Sequence, residues 1–313
     1  MKHLFVLNPV AGGGRKIAEG RAQIQAVMGR HGGDWEIYET TGPEDAIRKV
    51  REAAAVGESL RIYACGGDGT LNECVNGAVG NSHVAVTHFP MGTGNDFIKT
   101  FSTGREHFFD LERLLDGQEI AVDVIDVGDR YGINICSVGL DARIGADVHK
   151  YSTLPMVRGK TAYLVSLLAN LFQGIAMKFE VETGGKSRKG LFTLICACNG
   201  RSYGGAFTPV PDALPNDGKM DILLAKKVSR LGVLQLVNLY AQGRFREAPH
   251  RITYVQDRRL TVRADQEFVV NVDGEILRRR EVTFTLVPGG VNFFAPREAS
   301  FVETEKIGDN GSN

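Results

Sequence analysis

The sequence predicts an α/β protein in two parts, a parallel-sheet α/β domain followed by a β-rich domain built as a sandwich or barrel. Three observations support this prediction. Strand and helix patterns alternate over the first 120 residues, and strand patterns dominate after Ile120. The chain also has 38 glycines in 313 residues, well above the average usage of about 7%, and many of them follow predicted strands.

The first domain is predicted at residues 1–120. Its strand-like runs are Leu4–Asn8, Trp35–Glu39, Leu60–Cys65 and Val84–Phe89, and its helical patterns are Ile17–Arg30, Glu44–Val56 and Thr70–Val79. Strand, glycine-rich turn and helix in repeated order are typical of βαβ units. We therefore expect a mostly parallel sheet that is covered on both faces.

The second domain is predicted at residues 121–300, with its last strand or tail returning to the first domain, and residues 301–313 as a frayed tail. The strand candidates are Val122–Val127, Tyr131–Val138, Met177–Val181, Phe192–Cys198, Met220–Ala225, Arg251–Tyr254, Leu260–Ala264, Phe268–Val272 and Val282–Val287. Helices are expected at Gly159–Gln173 and Leu231–Gln242. Short polar turns between many of the strands favour an antiparallel arrangement.

Composition and charge exclude several classes of protein. The 37 basic residues balance 37 acidic ones, which argues against a protein that mainly binds nucleic acid. Five cysteines without a C-x-x-C pair favour reduced thiols over disulfides or a zinc site. The most apolar stretch, Ala162–Met177, is too short and too polar for a typical membrane span. No secretory signal pattern is seen, so a cytoplasmic location is expected.

Three glycine-rich turns each follow a strand of the first domain. They are Asn8–Lys16 (NPVAGGGRK), Cys65–Glu73 (CGGDGTLNE) and Pro90–Phe97 (PMGTGNDF). Glycine lets main-chain N–H groups approach phosphate oxygens, and a following helix N-terminus adds partial positive charge. Since all three turns lie at the same end of neighbouring strands, we predict a phosphate-binding edge. Neither the Walker spacing nor a G-x-G-x-x-G dinucleotide motif is present.

Two aspartates lie within these turns. Asp68 is in the second turn and Asp96 ends the third. A carboxylate among phosphate-binding amides repels phosphate unless a cation lies between them, so both are candidates for holding Mg²⁺ against a nucleotide's phosphates. The alternative for Asp96 is an N-cap of the helix that follows.

The motifs taken together resemble a known family. They are NPVAGGGR, GGDGTLNECVNG, PMGTGNDFIKTF, Ser137–Ala142 (SVGLDA), YGGAFTPVPDALPNDGKMDILL and VNVDGEI, in this order. In order and spacing they resemble the bacterial soluble lipid kinases of the diacylglycerol kinase type, from residue 3 to about residue 297. The GGDGT segment alone would not separate lipid kinases from NAD kinases.

The resemblance implies a function and a set of site residues. It implies that ATP and Mg²⁺ are used to phosphorylate a lipid alcohol such as diacylglycerol, with Glu275 as the catalytic base and Asp68 and Asp96 beside the phosphates. The ATP-binding residues it implies are Asn8, Thr40 (Thr41 as the alternative), Gly66, Gly67, Asp68, Gly69, Thr70, Leu71, Asn72 and Thr93. A structural Mg²⁺ would be held by Asp217 and the main-chain oxygens of Leu214 and Lys219, with Asp123 assisting through water. Lys219 replaces the apolar residue that the family usually has there.

Some interpretations stay open at this point. Asp273-Gly274 is also a strong signal for a hairpin turn. Arg278–Arg280 is either a solvated face or a contact for anionic headgroups, and the apolar helix Gly159–Gln173 is either core or a wall of an acyl-chain groove. An NAD kinase, or a non-catalytic nucleotide or lipid sensor, are the alternative functions. The expected partner is a lipid presented at a membrane surface and reached by reversible peripheral contact, with no nucleic acid; the sequence leaves a homodimer open.

Overall fold

The structure is a computed structural model that describes residues 1–13, 15–152, 174–205 and 207–302. Its strands are β1 (Lys2–Leu7), β2 (Asp34–Glu39), β3 (Leu60–Gly66), β4 (Val84–Pro90), β5 (Gln118–Asp126), β6 (Tyr131–Gly132), β7 (Ile135–Gly139), β8 (Met177–Thr183), β9 (Lys186–Cys198), β10 (Met220–Lys226), β11 (Ile252–Asp257), β12 (Arg259–Val272) and β13 (Glu275–Ala295). Its α-helices are α1 (Arg15–His31), α2 (Asp45–Ala54), α3 (Asp68–Ala78), α4 (Leu111–Leu115), α5 (Leu140–Ser152) and α6 (Arg230–Ala241).

The amino-terminal half is an α/β domain with a parallel sheet, as the sequence predicts. Its strands lie in the order β4-β3-β1-β2, and every pair is parallel. All seven residues of β4 are buried, which a sheet covered on both faces requires. The helix α2 turns Ala46, Val50 and Ala54 inward at helical spacing, and Val50 packs on Gly77 of α3, where a Cβ atom would lie 2.6 Å from the Val50 Cβ.

The carboxyl-terminal half is rich in antiparallel β-structure, which confirms the second part of the predicted fold class. Both β7 and β8 pair with β9 and with β12, at different parts of these two long strands. The strand β12 runs through both predicted strands, Leu260–Ala264 and Phe268–Val272, because an irregularity between Arg263 and Phe268 lets the ladder continue. The predicted strand Tyr131–Val138 is instead divided into β6 and β7.

The long strand β13 joins the two halves. It pairs with β12 near its start, with β5 along its second half, and in parallel with β4 through Asn292 and Phe293. The described strands therefore form one continuous hydrogen-bonded sheet of thirteen strands. Phe293 and Phe294 are fully buried, and they contact Phe97 and Tyr63 of the amino-terminal core edge to face.

The chain after β13 returns to the amino-terminal half. Ser102 donates its amide to the Ser300 carbonyl at 2.7 Å, and Phe301 stacks on Phe101 with ring centroids 4.2 Å apart. Phe301 is 5% exposed, so the predicted frayed tail 301–313 starts too early, since its first residue is part of the core. The rest of that tail from residue 303, and the predicted helix Gly159–Gln173, lie outside the described residues.

The helix α5 was not expected from the sequence. It begins directly after Gly139, whose φ of +98° reverses the chain at the end of β7. Within the described residues, no helix combines the length and the apolar character needed to cross a bilayer. The five cysteines are buried and unpaired, which agrees with reduced thiols.

Replacing Phe301 with alanine is expected to lower the free energy of unfolding by about 3 kcal/mol, because a buried, stacked ring is lost from the core. The matched control is Val302→Ala at the next position, where the side chain is 59% exposed and a change within about 0.5 kcal/mol is expected. Denaturant titration measures both values. Equal effects would show that the return segment does not pack in solution.

Candidate active site

The three glycine-rich turns meet at one edge of the parallel sheet. The amides of Met91 and Gly92 both donate to the Gly66 carbonyl, at 2.8 and 2.9 Å. A Cβ atom on Gly92 would lie 2.5 Å from the Gly67 Cα, and one on Gly12 would lie 2.3 Å from the Met91 carbonyl oxygen. The backbones approach so closely that side chains at these positions would collide. The glycines therefore build a shared surface of main-chain atoms.

The second turn leads directly into α3. Gly67 is the N-cap residue and Asp68 the first helical residue, so the amides of the first turn point out of the helix without an internal acceptor. Asn8 of the first turn donates its Nδ2 to the Thr70 hydroxyl at 3.2 Å. Thr93 in the third turn is exposed. These groups form the kind of cradle that suits phosphate oxygens.

Asp68 and Asp96 lie side by side in this cradle. Asp68 accepts a hydrogen bond from the main-chain amide of Asp96, and burial, together with the nearby charge of Asp96, raises the pKa of Asp68 to about 6. The buried carboxylate of Asp96 accepts from Lys99 Nζ at 2.5 Å and from the amide of Gly205 at 3.0 Å. Asp96 is the N-cap residue of the short 3₁₀ helix Phe97–Thr100, but its carboxylate makes no capping hydrogen bond there.

The two threonines after β2 have different surroundings. The Thr41 hydroxyl and amide both donate to Asp45 Oδ2, at 2.9 and 2.8 Å. The hydrogen bond from the Thr41 amide is the main reason that the pKa of Asp45 lies well below its usual range. Thr40 is half-buried beside the end of β1, and its amide donates to the Leu7 carbonyl at 2.9 Å. Because Thr41 is committed to Asp45, Thr40 stays the predicted contact for ATP.

Asp273 and Gly274 form the two-residue turn between β12 and β13. Both have positive φ, +52° and +102°, as a tight hairpin requires. The Asp273 carboxylate accepts from the amides of Ile133 at 2.6 Å and Ile135 at 2.8 Å, and from Asn72 Nδ2 at 3.0 Å. The amide of Asn134 donates to it as well, at 3.1 Å. Both oxygens of this carboxylate are therefore occupied by donors within the protein. The amides of residues 133–135 that bind it lie where β6 ends and β7 begins.

Glu275 is the first residue of β13, opposite Val272 across the hairpin. Its side chain is 44% exposed, and its charged neighbour is Arg130, whose Nη2 lies 3.9 Å from Glu275 Oε1. The hairpin turn predicted from Asp273-Gly274 and the acidic group predicted at Glu275 are therefore both present. Asp273 holds the turn, and Glu275 carries the carboxylate that is open to a ligand.

Glu73, at the end of the second glycine-rich motif, has a role that the sequence did not indicate. Its carboxylate accepts from the amides of Glu44 at 3.0 Å and Ala46 at 3.2 Å, at the start of α2. Burial raises the pKa of Glu73, and the nearby charge of Glu275 adds to this effect. The hairpin of the second half thus lies against the helix starts of the first half.

The predicted structural metal site lies away from this cleft, in the loop before β10. Asp217 accepts from the Lys219 amide through Oδ1 at 3.0 Å, and burial together with the charges of Asp221 and Asp123 raises the pKa of Asp217. Its second carboxylate oxygen, and the carbonyl groups of Leu214 and Lys219 in the same loop, are hard oxygen donors of the kind that Mg²⁺ prefers. Across the described ranges, no cluster of three or more His, Cys, Asp or Glu side chains could hold a metal, so main-chain oxygens or water would have to complete the site.

Asp123, predicted to assist that metal through water, is buried and has two main-chain partners. It accepts from the amides of Gly218 at 2.8 Å and Gly289 at 2.7 Å. Gly218 lies between Asp217 and Lys219, so Asp123 holds the loop in place directly. In the Arg278–Arg280 run, Arg279 pairs with Asp129 and Arg278 lies 3.7 Å from Glu267.

Comparisons with known families divide the chain in the same way as its secondary structure. Residues 2–127 match the family described as the diacylglycerol kinase catalytic domain. Residues 134–295 match the family described as the YegS C-terminal NAD kinase beta sandwich-like domain. Provisionally named lipid kinases from Staphylococcus aureus strains Mu3 and Newman are 25% identical to this chain over 231 residues, covering 74% of it and 75% of each relative.

Solved structures share the fold. A provisionally titled diacylglycerol kinase from Bacillus anthracis superposes with a TM-score of 0.74 at 21% identity, covering 93% of this chain and 94% of the other. A second structure, titled as a diacylglycerol kinase from the same organism, gives a TM-score of 0.70 at 20% identity and covers 93% of this chain and 96% of the other. These similarities confirm the arrangement of an α/β domain followed by a β-rich domain.

Replacing Asp68 with asparagine is expected to stabilise the metal-free protein by about 1–2 kcal/mol at pH 7.5, because a buried charge beside Asp96 is removed. The raised pKa of about 6 means that the wild type loses stability as the pH rises from about 4, where this carboxyl group ionises in the unfolded chain, to about 6, where it ionises in the fold. The difference between variant and wild type should therefore vanish near pH 4. Denaturant titrations at a series of pH values measure it.

The matched control is Asp45→Asn, since Asp45 is also the first residue of a helix. Its pKa is held below the usual range, so its ionised form is favoured by the fold. This substitution should destabilise the protein at pH 7.5, with the loss shrinking in acid. A stabilising effect of the same sign in both variants would contradict the electrostatic account of Asp68.

Proposed function

The chain belongs to the diacylglycerol kinase-like lipid kinase family, and from this membership and the geometry above we propose that it transfers the γ-phosphate of ATP to the hydroxyl of diacylglycerol or a related lipid alcohol, with Mg²⁺. The ATP phosphates would lie on the amides of the three glycine-rich turns, with Asn8, Thr40 and Thr93 as further contacts. Mg²⁺, held beside Asp68 and Asp96, would neutralise the phosphate charge.

One observation carries the proposal. The hairpin that presents Glu275 is attached through Asp273 to Asn72, which lies in the glycine-rich GGDGTLN segment itself. A carboxylate that is open to a ligand is thereby held beside the predicted phosphate site. Glu275 accepts the proton of the acceptor hydroxyl as that oxygen forms its bond to the γ-phosphorus, and the bond from phosphorus to the β–γ bridging oxygen breaks to release ADP. Positioning and electrostatic stabilisation account for most of the rate enhancement.

An apolar pocket next to the site supports a lipid as the acceptor. It lies between α5, β9 and α6 and is lined by Leu140, Asp141, Ile144, Thr193, Leu194, Phe207, Val233, Leu236, Val237 and Tyr240. Residues 203–205 connect it to the predicted phosphate site, because the Tyr203 hydroxyl donates to Asp141 at 2.6 Å while the Gly205 amide donates to Asp96. The pocket itself is narrow, about 30 Å³, so an acyl chain entering between its apolar walls would have to separate α5 and α6.

The alternative functions are less well supported. An NAD kinase would share the GGDGT turn, but its soluble acceptor would have no use for the apolar pocket, and the curated relatives are named as lipid kinases. A sensor without catalysis would have no use for the exposed carboxylate of Glu275 beside the turns. Reversible contact with a membrane surface, a cytoplasmic location and a homodimer stay predictions.

The purified protein, incubated with labelled ATP, Mg²⁺ and separate dispersions of diacylglycerol, other lipid alcohols and NAD, should transfer phosphate to a lipid. The variant Glu275→Gln should lower kcat by about 10²–10⁴-fold while ATP binding is retained, since only the proton acceptor is lost. The control is Glu281→Gln in the same strand, where the glutamate is exposed and pairs with Arg263. Full turnover by Glu275→Gln would contradict the proposed mechanism, and phosphorylation of NAD alone would contradict the proposed acceptor.

Filling the apolar pocket should affect the lipid and not the nucleotide. Val237→Trp, on the pocket-facing side of α6, is expected to raise the KM for a long-chain diacylglycerol about tenfold or more because bulk is added where the chain would lie. The KM for ATP should stay within about twofold. Leu234→Trp, one turn away at a side chain that is 53% exposed, should change neither. Equal effects on both KM values would place the acyl chain elsewhere.

A further inference from the structure

Arg130 lies on the turn between β5 and β6 and points into the cleft between the two halves. Its side chain is only 11% exposed. The Nε atom donates to Asn72 Oδ1 at 3.1 Å, which connects the arginine to the glycine-rich segment at the start of α3. Neither the family resemblance nor the motif spacing assigned this residue a role.

One nitrogen of the guanidinium group is left without a hydrogen bond. Among the described residues, Arg130 Nη2 is buried and has no acceptor within hydrogen-bond distance. A buried donor without a partner is costly, and the cost is larger for a charged group. Glu275 Oε1 lies 3.9 Å from Arg130 Nη2. A side-chain rotation that shortens this separation by about 1 Å would form a charge-assisted hydrogen bond.

The charges around Arg130 favour a carboxylate partner over a phosphate. Its Nη1 lies 3.8 Å from Glu44 Oε1. Glu73 also lies close enough to Arg130 for the two charges to interact. The positive charge of Arg130 lowers the pKa of Glu73, against the raising effect of burial. With Glu44, Glu73 and Glu275 around it, the guanidinium group is already neutralised by acidic side chains, and a further anion would be repelled by them.

Asn72 connects Arg130 to the hairpin at a second point. Its Oδ1 accepts from Arg130, while its Nδ2 donates to Asp273, two residues before Glu275. The hairpin backbone is thereby attached to Asn72 directly, and the Glu275 side chain can be attached through Arg130. Two attachments of this kind would restrict both the position and the rotation of a catalytic carboxylate.

We propose that Arg130 is a positioning residue that holds the Glu275 carboxylate toward the acceptor hydroxyl, through a hydrogen bond from Nη2 to Oε1 in the reacting complex. The proposal rests on the proposed lipid kinase function. It assigns Arg130 no direct contact with ATP or with the lipid. The loss that follows from removing Arg130 should therefore depend on the presence of Glu275.

The test is a double-mutant cycle on kcat, with dioctanoylglycerol in detergent micelles as the acceptor. Arg130→Gln should lower kcat about 100-fold with the KM for ATP within about threefold, and Arg130→Lys should recover part of the loss because a donor and its charge are restored. The double variant Arg130→Gln/Glu275→Gln should be no slower than Glu275→Gln alone, since Arg130 acts through Glu275. A purely structural role would not produce this dependence.

The control is Arg61→Gln. Arg61 lies near the start of β3, at the opposite end of the strand from the glycine-rich turn at Gly66. Arg61 is similarly buried, at 14% exposure, and also has one unpartnered nitrogen, so this variant measures the general effect of removing such an arginine. Its kcat should stay near the wild-type value, while its melting temperature should fall at least as far as that of Arg130→Gln.

Additive losses in the double variant, or wild-type kcat in Arg130→Gln, would overturn the proposal. If Arg130→Gln does not fold, the same cycle is run with Arg130→Lys. Absence of lipid phosphorylation by the wild-type protein would overturn the proposed function itself, which separates the two failures.

Discussion

The hydrogen bonds to the Asp273 carboxylate are the interaction on which the site depends. A buried carboxylate is costly unless donors satisfy it, and here three main-chain amides from residues 133–135 and the Asn72 side chain do so. These donors come from both halves of the chain. Removing the carboxylate would leave the three main-chain amides without this acceptor, while Asn72 Nδ2 would keep its hydrogen bond to the Tyr131 carbonyl. The same bonds fix the direction of the hairpin, so the position of Glu275 follows from the need to satisfy its neighbour Asp273.

The phosphate cradle shows the opposite arrangement, since its charges are not satisfied within the protein. Asp68 lies beside Asp96 with its pKa raised to about 6; Asp68 accepts from the Asp96 amide, and Asp96 accepts from Lys99 and the Gly205 amide. The metal-free fold is therefore less stable at neutral pH than the same fold with a neutral group there. Under the proposed function, this is the expected cost of keeping carboxylates where a cation and phosphates would be bound. The glycine turns contribute dipoles without charge, so a chain with zero net charge can still bind a highly charged ligand.

The continuous sheet explains how two halves of different architecture present one site. The single strand β13 begins at Glu275 and ends in the amino-terminal core. Because it pairs with β12, β5 and β4 on the way, it connects the sheets of both halves. Residues 203–205 add a second connection, since Tyr203 donates to Asp141 of the apolar pocket and Gly205 donates to Asp96.

The sequence by itself determined the elements whose signals are local. Alternating apolar residues and glycine punctuation located β1–β4 and α1–α3 within about two residues, and the motif order indicated the family and the three turns. Tertiary structure decided the rest. Only the fold shows that Asp273 is structural while Glu275, two residues later, is open to a ligand, because the partners of Asp273 lie 138–201 residues away along the chain. It likewise decided that Thr41 is bonded to Asp45, that Phe301 belongs to the core, and that Arg130 faces Glu275. Such roles depend on which distant groups come within hydrogen-bond distance, and no local pattern in the chain encodes that.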